Sequence, residues 1–153
     1  MRYPMDAVYD ALGGRLYVAD TGNHRVLAWN ALPTQLGTAA SFVLGQEQMS
    51  EHDPNRAGPV TALTMYEPPS LLVHAGSLFV ADGTNNRILL VWTPPPTRGD
   101  QEPSRVLGQF RFEASGLQLA ATSLKPWGMC ANGNHLYVAD HVHNRVLRFT
   151  LTP

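Results

Sequence analysis

Short apolar runs along this chain come in pairs, and the pairing is made three times: LYVADTGNHRVLAW (Leu16 to Trp29), LFVADGTNNRILLVW (Leu78 to Trp92) and LYVADHVHNRVLRF (Leu136 to Phe149). In each copy the first run ends in Ala-Asp. An arginine opens the second run five positions later, giving Asp20 and Arg25, Asp82 and Arg87, Asp140 and Arg145. Only small or polar residues lie between. Two β-branched or aromatic runs joined by such a stretch predict a β-hairpin with a four-residue connection. A lone hairpin cannot bury its faces, so each unit must stack on its neighbours.

The flanking pattern enlarges the unit. A further run precedes each hairpin, at Tyr3 to Ala11, PSLLVHA (Pro69 to Ala75) and PWGMCA (Pro126 to Ala131). Glycines stand between that run and the hairpin (Gly13 and Gly14, Gly76, Gly133), where a tight turn needs positive φ. After the first two hairpins come PTQLGTAASFVLGQ from Pro33 and PTRGDQEPSRVLGQ from Pro96, each with a fourth strand, near Ser41 to Leu44 and Ser104 to Leu107. The chain stops at Pro153 without a third VLGQ, so eleven strands are expected. The connectors Gln46 to Pro68 and Gln109 to Lys125 show no strand pattern. The second, with Leu117, Leu119, Ala120 and Leu124, has room for a helical turn.

Tandem four-stranded meanders predict an all-β fold: a partial β-propeller of three antiparallel meander blades, at approximately 3–46, 67–109 and 124–151 of a single domain spanning 1–153, with the last blade lacking its outer strand. Strands such as LFVA and RILLVW are apolar at successive positions, as expected when both faces are covered.

Composition narrows function. With 153 residues and a hydrophobic share of 44% the chain can build an ordinary core. A formal net charge of -1 gives no reason to expect nucleic acid or an anionic membrane. One cysteine, Cys130, excludes an internal disulfide and a multi-cysteine metal cluster. No segment approaches a membrane span or a signal peptide, so the chain as given reads as soluble, with the cytoplasm favoured and the compartment left open, since a leader could have been removed.

The VAD-x-x-N-H-R-V pattern resembles the NHL repeat, matched closely by Asn23, His24 and Arg25, and less fully by Asn86 with Arg87 and Asn144 with Arg145. The VLGQ segments (Val43 to Gln46, Val106 to Gln109) resemble the long-spaced bacterial versions of that repeat. The resemblance implies half of a six-bladed propeller. For function it spans ligand-binding, protein-binding and RNA-binding members and a few lyases.

The Asp and Arg pairs read as structural clamps, because a catalytic residue is needed once whereas a feature of every repeat serves every blade. His141 and His143 in a turn are two of the ligands a metal would want. His74 lies on a first strand, and first strands line a propeller's channel. It is the one histidine so placed, against several in the lyases. No metal or cofactor is expected. Cys130 reads as a small buried apolar residue, and Trp29, Trp92 and Phe149 as inter-blade packing. Trp127 differs from its equivalents, Met5 and Ser70. The expected function is a non-catalytic binding scaffold, docking a protein or small ligand through Asn23, His24, Asn85, Asn86, His143, Asn144, His74 and Trp127. The alternatives are a propeller enzyme of lyase or lactonase type and a fragment of a longer NHL-repeat protein. Three blades leave two apolar faces uncovered, so a homodimer that completes or extends the propeller is expected.

Overall fold

The computed structural model describes residues 1–115 and 125–151, with the backbone alone at 88–90. Among these residues eleven strands form three antiparallel sheets, and neighbours in each sheet follow chain order. Blade 1 holds β1 (Pro4–Asp10), β2 (Arg15–Asp20), β3 (Arg25–Trp29) and β4 (Phe42–Leu44). Blade 2 holds β5 (Leu71–His74), β6 (Ser77–Asp82), β7 (Arg87–Trp92) and β8 (Arg105–Leu107). Blade 3 holds β9 (Pro126–Asn132), β10 (His135–Asp140) and β11 (Arg145–Thr150). The first strands β1, β5 and β9 lie side by side, so each meander runs outward from them.

Each hairpin closes on its charged pair, with Asp20 opposite Arg25, Asp82 opposite Arg87 and Asp140 opposite Arg145. The residue before each arginine is left-handed: His24 at φ 56°, Asn86 at 53° and Asn144 at 51°. Asparagine tolerates that region, which explains its presence in two of the three copies. The turns from first to second strand use glycine instead, with Gly14 at φ 70°, Gly76 at 71° and Gly133 at 57°.

Side chains alternate between two faces along every strand, and the faces mate in order. Tyr17, Ala19, Val26 and Ala28 of blade 1 pack on Leu71, Leu78, Val80 and Trp92 of blade 2. Phe79 and Val91 on the other face of blade 2 pack on Leu136 and Val138 of blade 3, with Leu147 and Phe149 beside them. Trp92 and Phe149 are therefore inter-blade residues. Trp29 is not: it packs with Leu27 and Val43 on the face of blade 1 turned away from blade 2.

Two further expectations are corrected. Cys130 is exposed rather than buried, because it stands opposite Tyr137 on the face of blade 3 that no other blade covers. The equivalent of Trp127 in blade 2 is Pro69, not Ser70: the Ala81 N–H donates to Ser70 O, which puts Ser70 level with Asp6 and Gly128, the partners of Ala19 and Ala139. The first connector holds a 3₁₀ turn, Pro54–Ala57. The helical turn expected near Leu117 to Leu124 lies outside the described residues.

Candidate functional site

At the end of the blades that carries the hairpin turns, the same carboxylate arrangement is built three times. Asp20 accepts the Arg2 N–H at 2.6 Å on one oxygen, and Asn23 Nδ2 at 2.9 Å and Arg25 Nε at 2.7 Å on the other. Asp82 accepts the Tyr66 N–H at 2.8 Å, Asn85 Nδ2 at 2.9 Å, Arg87 Nε at 2.8 Å and Arg87 Nη2 at 2.5 Å. Asp140 accepts the Lys125 N–H at 3.0 Å, His143 Nδ1 at 2.8 Å and Arg145 Nε at 2.8 Å. Each aspartate thus ties three things: the chain entering the first strand, the turn residue three positions on, and its own arginine.

The arginine carries the tie outward. Arg25 Nη1 donates to the Met49 and Glu51 carbonyls. Arg87 donates to Thr61 O at 2.7 Å, Thr64 O at 2.6 Å and Phe112 O at 2.6 Å, taking hold of the connectors on both sides of its blade. The glutamine ending each VLGQ segment completes the arrangement: Gln46 Nε2 donates to the Asp53 carbonyl at 2.8 Å and lies 3.4 Å from those of Asn23 and His24, and Gln109 Nε2 donates to Asn86 O at 3.0 Å. That role was readable in the repetition of VLGQ and was missed.

Environment separates the three carboxylates. Burial raises the Asp20 pKa, but donors from Asn23, Arg2 and Arg25 outweigh it, leaving it below the ordinary value. Asp140 is lowered likewise, against burial, by His143, Arg145 and the Lys125 N–H. In Asp82 burial prevails over Arg87 and the other donors and holds the carboxyl above the ordinary value. His24 is lowered by burial, and its Nδ1 accepts the Glu67 N–H at 3.2 Å, as a neutral ring must.

The structure gathers Asn23, His24, Asn85, Asn86, His143 and Asn144 at this end, and most of their polar atoms serve the fold. Asn85 is buried and exchanges amide hydrogen bonds with Asn55, at 3.0 and 2.8 Å. Asn86 Nδ2 donates to Ser115 O at 2.8 Å. Asn144 is exposed. Trp127, 46% exposed, lies against the His141 ring with centroids 5.1 Å apart and planes at 31°. His74 is elsewhere, at the opposite end of β5, with Nε2 at 2.7 Å from the Gly133 carbonyl of blade 3. Asp6 links blades 1 and 2, accepting from Ser70 Oγ at 3.1 Å and Leu71 N at 2.8 Å. Among the described residues no three His, Cys, Asp or Glu side chains are grouped as metal ligands, and no helix is long and apolar enough to cross a membrane.

The family model of the NHL repeat matches residues 1–29 and 124–149, the first and third units. Those two units match the NHL repeat. The second unit, outside those matches, holds the same Asp and Arg clamp in its most buried form. No curated protein matches the chain. Among solved structures, a chain of the crystal structure of a nidogen/laminin complex superposes with a TM-score of 0.55 at 20% sequence identity, covering 97% of this chain and 43% of its own length. That neighbour is a β-propeller, so the chain is a partial β-propeller of three blades.

Proposed function

We propose that this NHL chain is a non-catalytic binding module that presents the turn end of its blades to a protein partner. The observation that carries the reading is the placement of exposed large apolar side chains. Met5 and Trp127 stand where the first strands begin beside the turns, and Val142 is in the third turn. Met49 and Phe110 follow the glutamines that bond back to the turns. Exposed apolar groups gathered on loops of a rigid scaffold suit a protein interface. The neighbouring propeller was solved in a nidogen/laminin complex, which also supports a protein partner.

The reading includes self-association. The face of blade 1 turned away from blade 2, where Leu27, Trp29 and Val43 are already buried beside Ala40, and the face of blade 3 that carries Tyr137, Ala139 and the exposed Val146 are equivalent to faces that mate inside the chain, so a second copy that displaced the cover over blade 1 could join them into a ring of six blades. A mass measurement giving a monomer at micromolar concentration would remove this part.

Shortening the connector Gln48 to Thr64 is a poor test of binding, since Arg87 bonds the Thr61 and Thr64 carbonyls and the clamp would go with it. Surface changes are cleaner. Trp127→Ser with Phe110→Ser should leave melting nearly unchanged and abolish protein capture. Undiminished capture by the double variant, or stoichiometric metal with lyase or lactonase turnover, would overturn the reading.

A further inference from the structure

At the outer rim of the seam between blades 1 and 2 lies a cavity of ≈ 590 Å³, bordered by Phe42, Gln46, Glu47, Met49, Arg56 and Leu63. Its walls come from β4, the first connector and a loop of blade 2, all internal to the chain. That loop, 94–103, leaves β7 and crosses the seam, tied where Tyr17 Oη donates to Pro96 O at 2.9 Å and Trp92 Nε1 donates to Gln101 O at 2.7 Å. It lays Gly99 so close to Val43 O, on the outermost strand of blade 1, that a Cβ would sit 2.2 Å from it. Gly99 and Asp100 thus close the cavity from the side of blade 2. A cavity of this size, with apolar walls and a few placed polar groups, has the proportions of a small-molecule site.

Two of its polar groups are underused by the fold. Gln46 is 1% exposed, and its Nε2 donates to Asp53 O at 2.8 Å, while among the described residues its buried Oε1 has no hydrogen-bond partner. A buried amide oxygen without a donor is costly, so it marks a place where a donor is wanted. Arg56 is the one cation among the described residues that border the cavity. Its contacts are long, with Nε 3.4 Å from Gly45 O and Nη1 3.5 Å from Glu47 Oε1, at the weak end of hydrogen bonding. The backbone that presents it is strained. Asn55, Arg56 and Ala57 have φ of 50°, 56° and 54°, three successive non-glycine residues in the left-handed region. The turn is held from outside, by the Asn55 N–H to Met65 O at 3.0 Å and by the amide pair of Asn55 with Asn85. Strain imposed in this way belongs to places where the position of a side chain matters for binding.

Charge decides among ligands. Glu47 and Asp100 oppose a simple anion, and Arg56 opposes a simple cation. A molecule with both charges on neighbouring carbons suits the site, because Arg56 and Glu47 stand side by side in the same way, 3.5 Å apart. We propose that this cavity binds a free α-amino acid with an apolar side chain. Arg56 takes the carboxylate, for which the guanidinium fork is shaped. Glu47 takes the ammonium, with Gln46 Oε1 as its further acceptor. The side chain lies among Phe42, Met49 and Leu63. A peptide is a poor occupant, since its two charged termini stand far apart and its inner residues carry neither charge. The site is separate from the protein interface proposed at the turn end, and it uses neither Trp127 nor Phe110.

The test titrates the intact protein with L-leucine by calorimetry and follows the Gln46 side-chain amide by NMR. The expected result is saturable binding, with the Gln46 amide signals shifting along the same curve. N-acetyl-leucine lacks the ammonium, leucinamide lacks the carboxylate and glycine lacks the apolar chain, so each should bind at least about tenfold more weakly. Arg56→Gln and Glu47→Gln should each weaken leucine binding by at least about tenfold as well. The Glu47 side chain is 68% exposed and touches only Arg56, so Glu47→Gln gives a folded variant even where Arg56→Gln does not. Trp127→Ser with Phe110→Ser should bind leucine like the parent. Failure to saturate, binding of N-acetyl-leucine or leucinamide as tight as that of leucine, unchanged binding to a Glu47→Gln protein that melts like the parent, or loss of binding in the Trp127 and Phe110 double variant would each refute the site.

Discussion

The seam between blades 1 and 2 and the seam between blades 2 and 3 are made from equivalent residues, yet among the described residues a loop crosses only the first. Tyr17 and Trp92 meet loop carbonyls there, and the Asp and Arg clamps on either side of it are closed over by connectors. At the second seam Phe79 and Phe149 face a cleft. The exposure of the clamp arginines follows the same gradient: 0% for Arg87, 10% for Arg25 and 34% for Arg145. The difference teaches that a repeat's sequence fixes its hairpin and its charged pair, while the value of that pair is set by what the neighbouring connectors lay over it.

The sharpest way to break that comparison is to remove the arginines one at a time. Arg87→Ala leaves the buried Asp82 carboxylate without its partner and three connector carbonyls without a donor, and should cost about 3 to 5 kcal/mol. Arg145→Ala, at the more exposed pair, should cost less than about 1 kcal/mol. Arg25→Ala should fall between. Urea melts of the three variants check the order, and equal losses would mean that burial does not grade the clamps.

Acid should divide the blades in the same way. Asp20 and Asp140 have folded pKa values below the ordinary 3.8, so their contribution to stability is present above that value and is lost as pH falls through the lower folded values. Asp82 has the opposite sign, since a carboxyl raised in the fold takes its proton earlier and favours the fold as pH falls. Loosening below pH 3.8 should therefore begin at the Arg2 and Lys125 amides, which Asp20 and Asp140 hold, before the Tyr66 amide held by Asp82. Hydrogen exchange followed residue by residue at descending pH reads this order directly.

A smaller effect is expected at the first seam. Burial pushes the Tyr17 hydroxyl up to about 12, and its hydrogen bond to Pro96 O is, with that of Trp92 to Gln101 O, one of two such links for which the second seam has no polar ring atom. Tyr17→Phe should cost about 1 kcal/mol and speed exchange in the segment 94–103, whereas Phe79→Tyr should gain nothing, because no described carbonyl faces it. A gain from Phe79→Tyr would show that the second seam is closed by a segment carrying such a carbonyl.

The fold was legible because period-2 and fully apolar runs are local signals, and the VAD-to-Arg spacing repeats. The clamp was legible as a pair but not as a three-way tie: Arg2, Tyr66 and Lys125 contribute backbone N–H groups, which carry no sequence signature. Cys130 was misread for a related reason, since the sequence of β9 shows a first strand but not that its blade has an uncovered face. The turn polar residues were legible as a cluster, while their hydrogen bonds into the fold depend on connectors whose path no periodicity predicts.

Two tryptophans give the finest version of the comparison. Trp92 is 2% exposed in the core between blades 1 and 2, and Trp127 is 46% exposed against His141 at the turn end. Replacing Trp92 by Ala opens a cavity between packed sheets and should cost about 3 to 5 kcal/mol. Trp127→Ser removes a ring whose face is already in water and should change stability by less than about 0.5 kcal/mol. A large indole kept at an exposed position without a stabilising role is what a binding surface needs, since such rings dominate interface energetics. If Trp127→Ser destabilises the fold as Trp92→Ala does, the ring belongs to packing that the exposed stack on His141 does not show, and the proposal of docking at the turn end loses its main support.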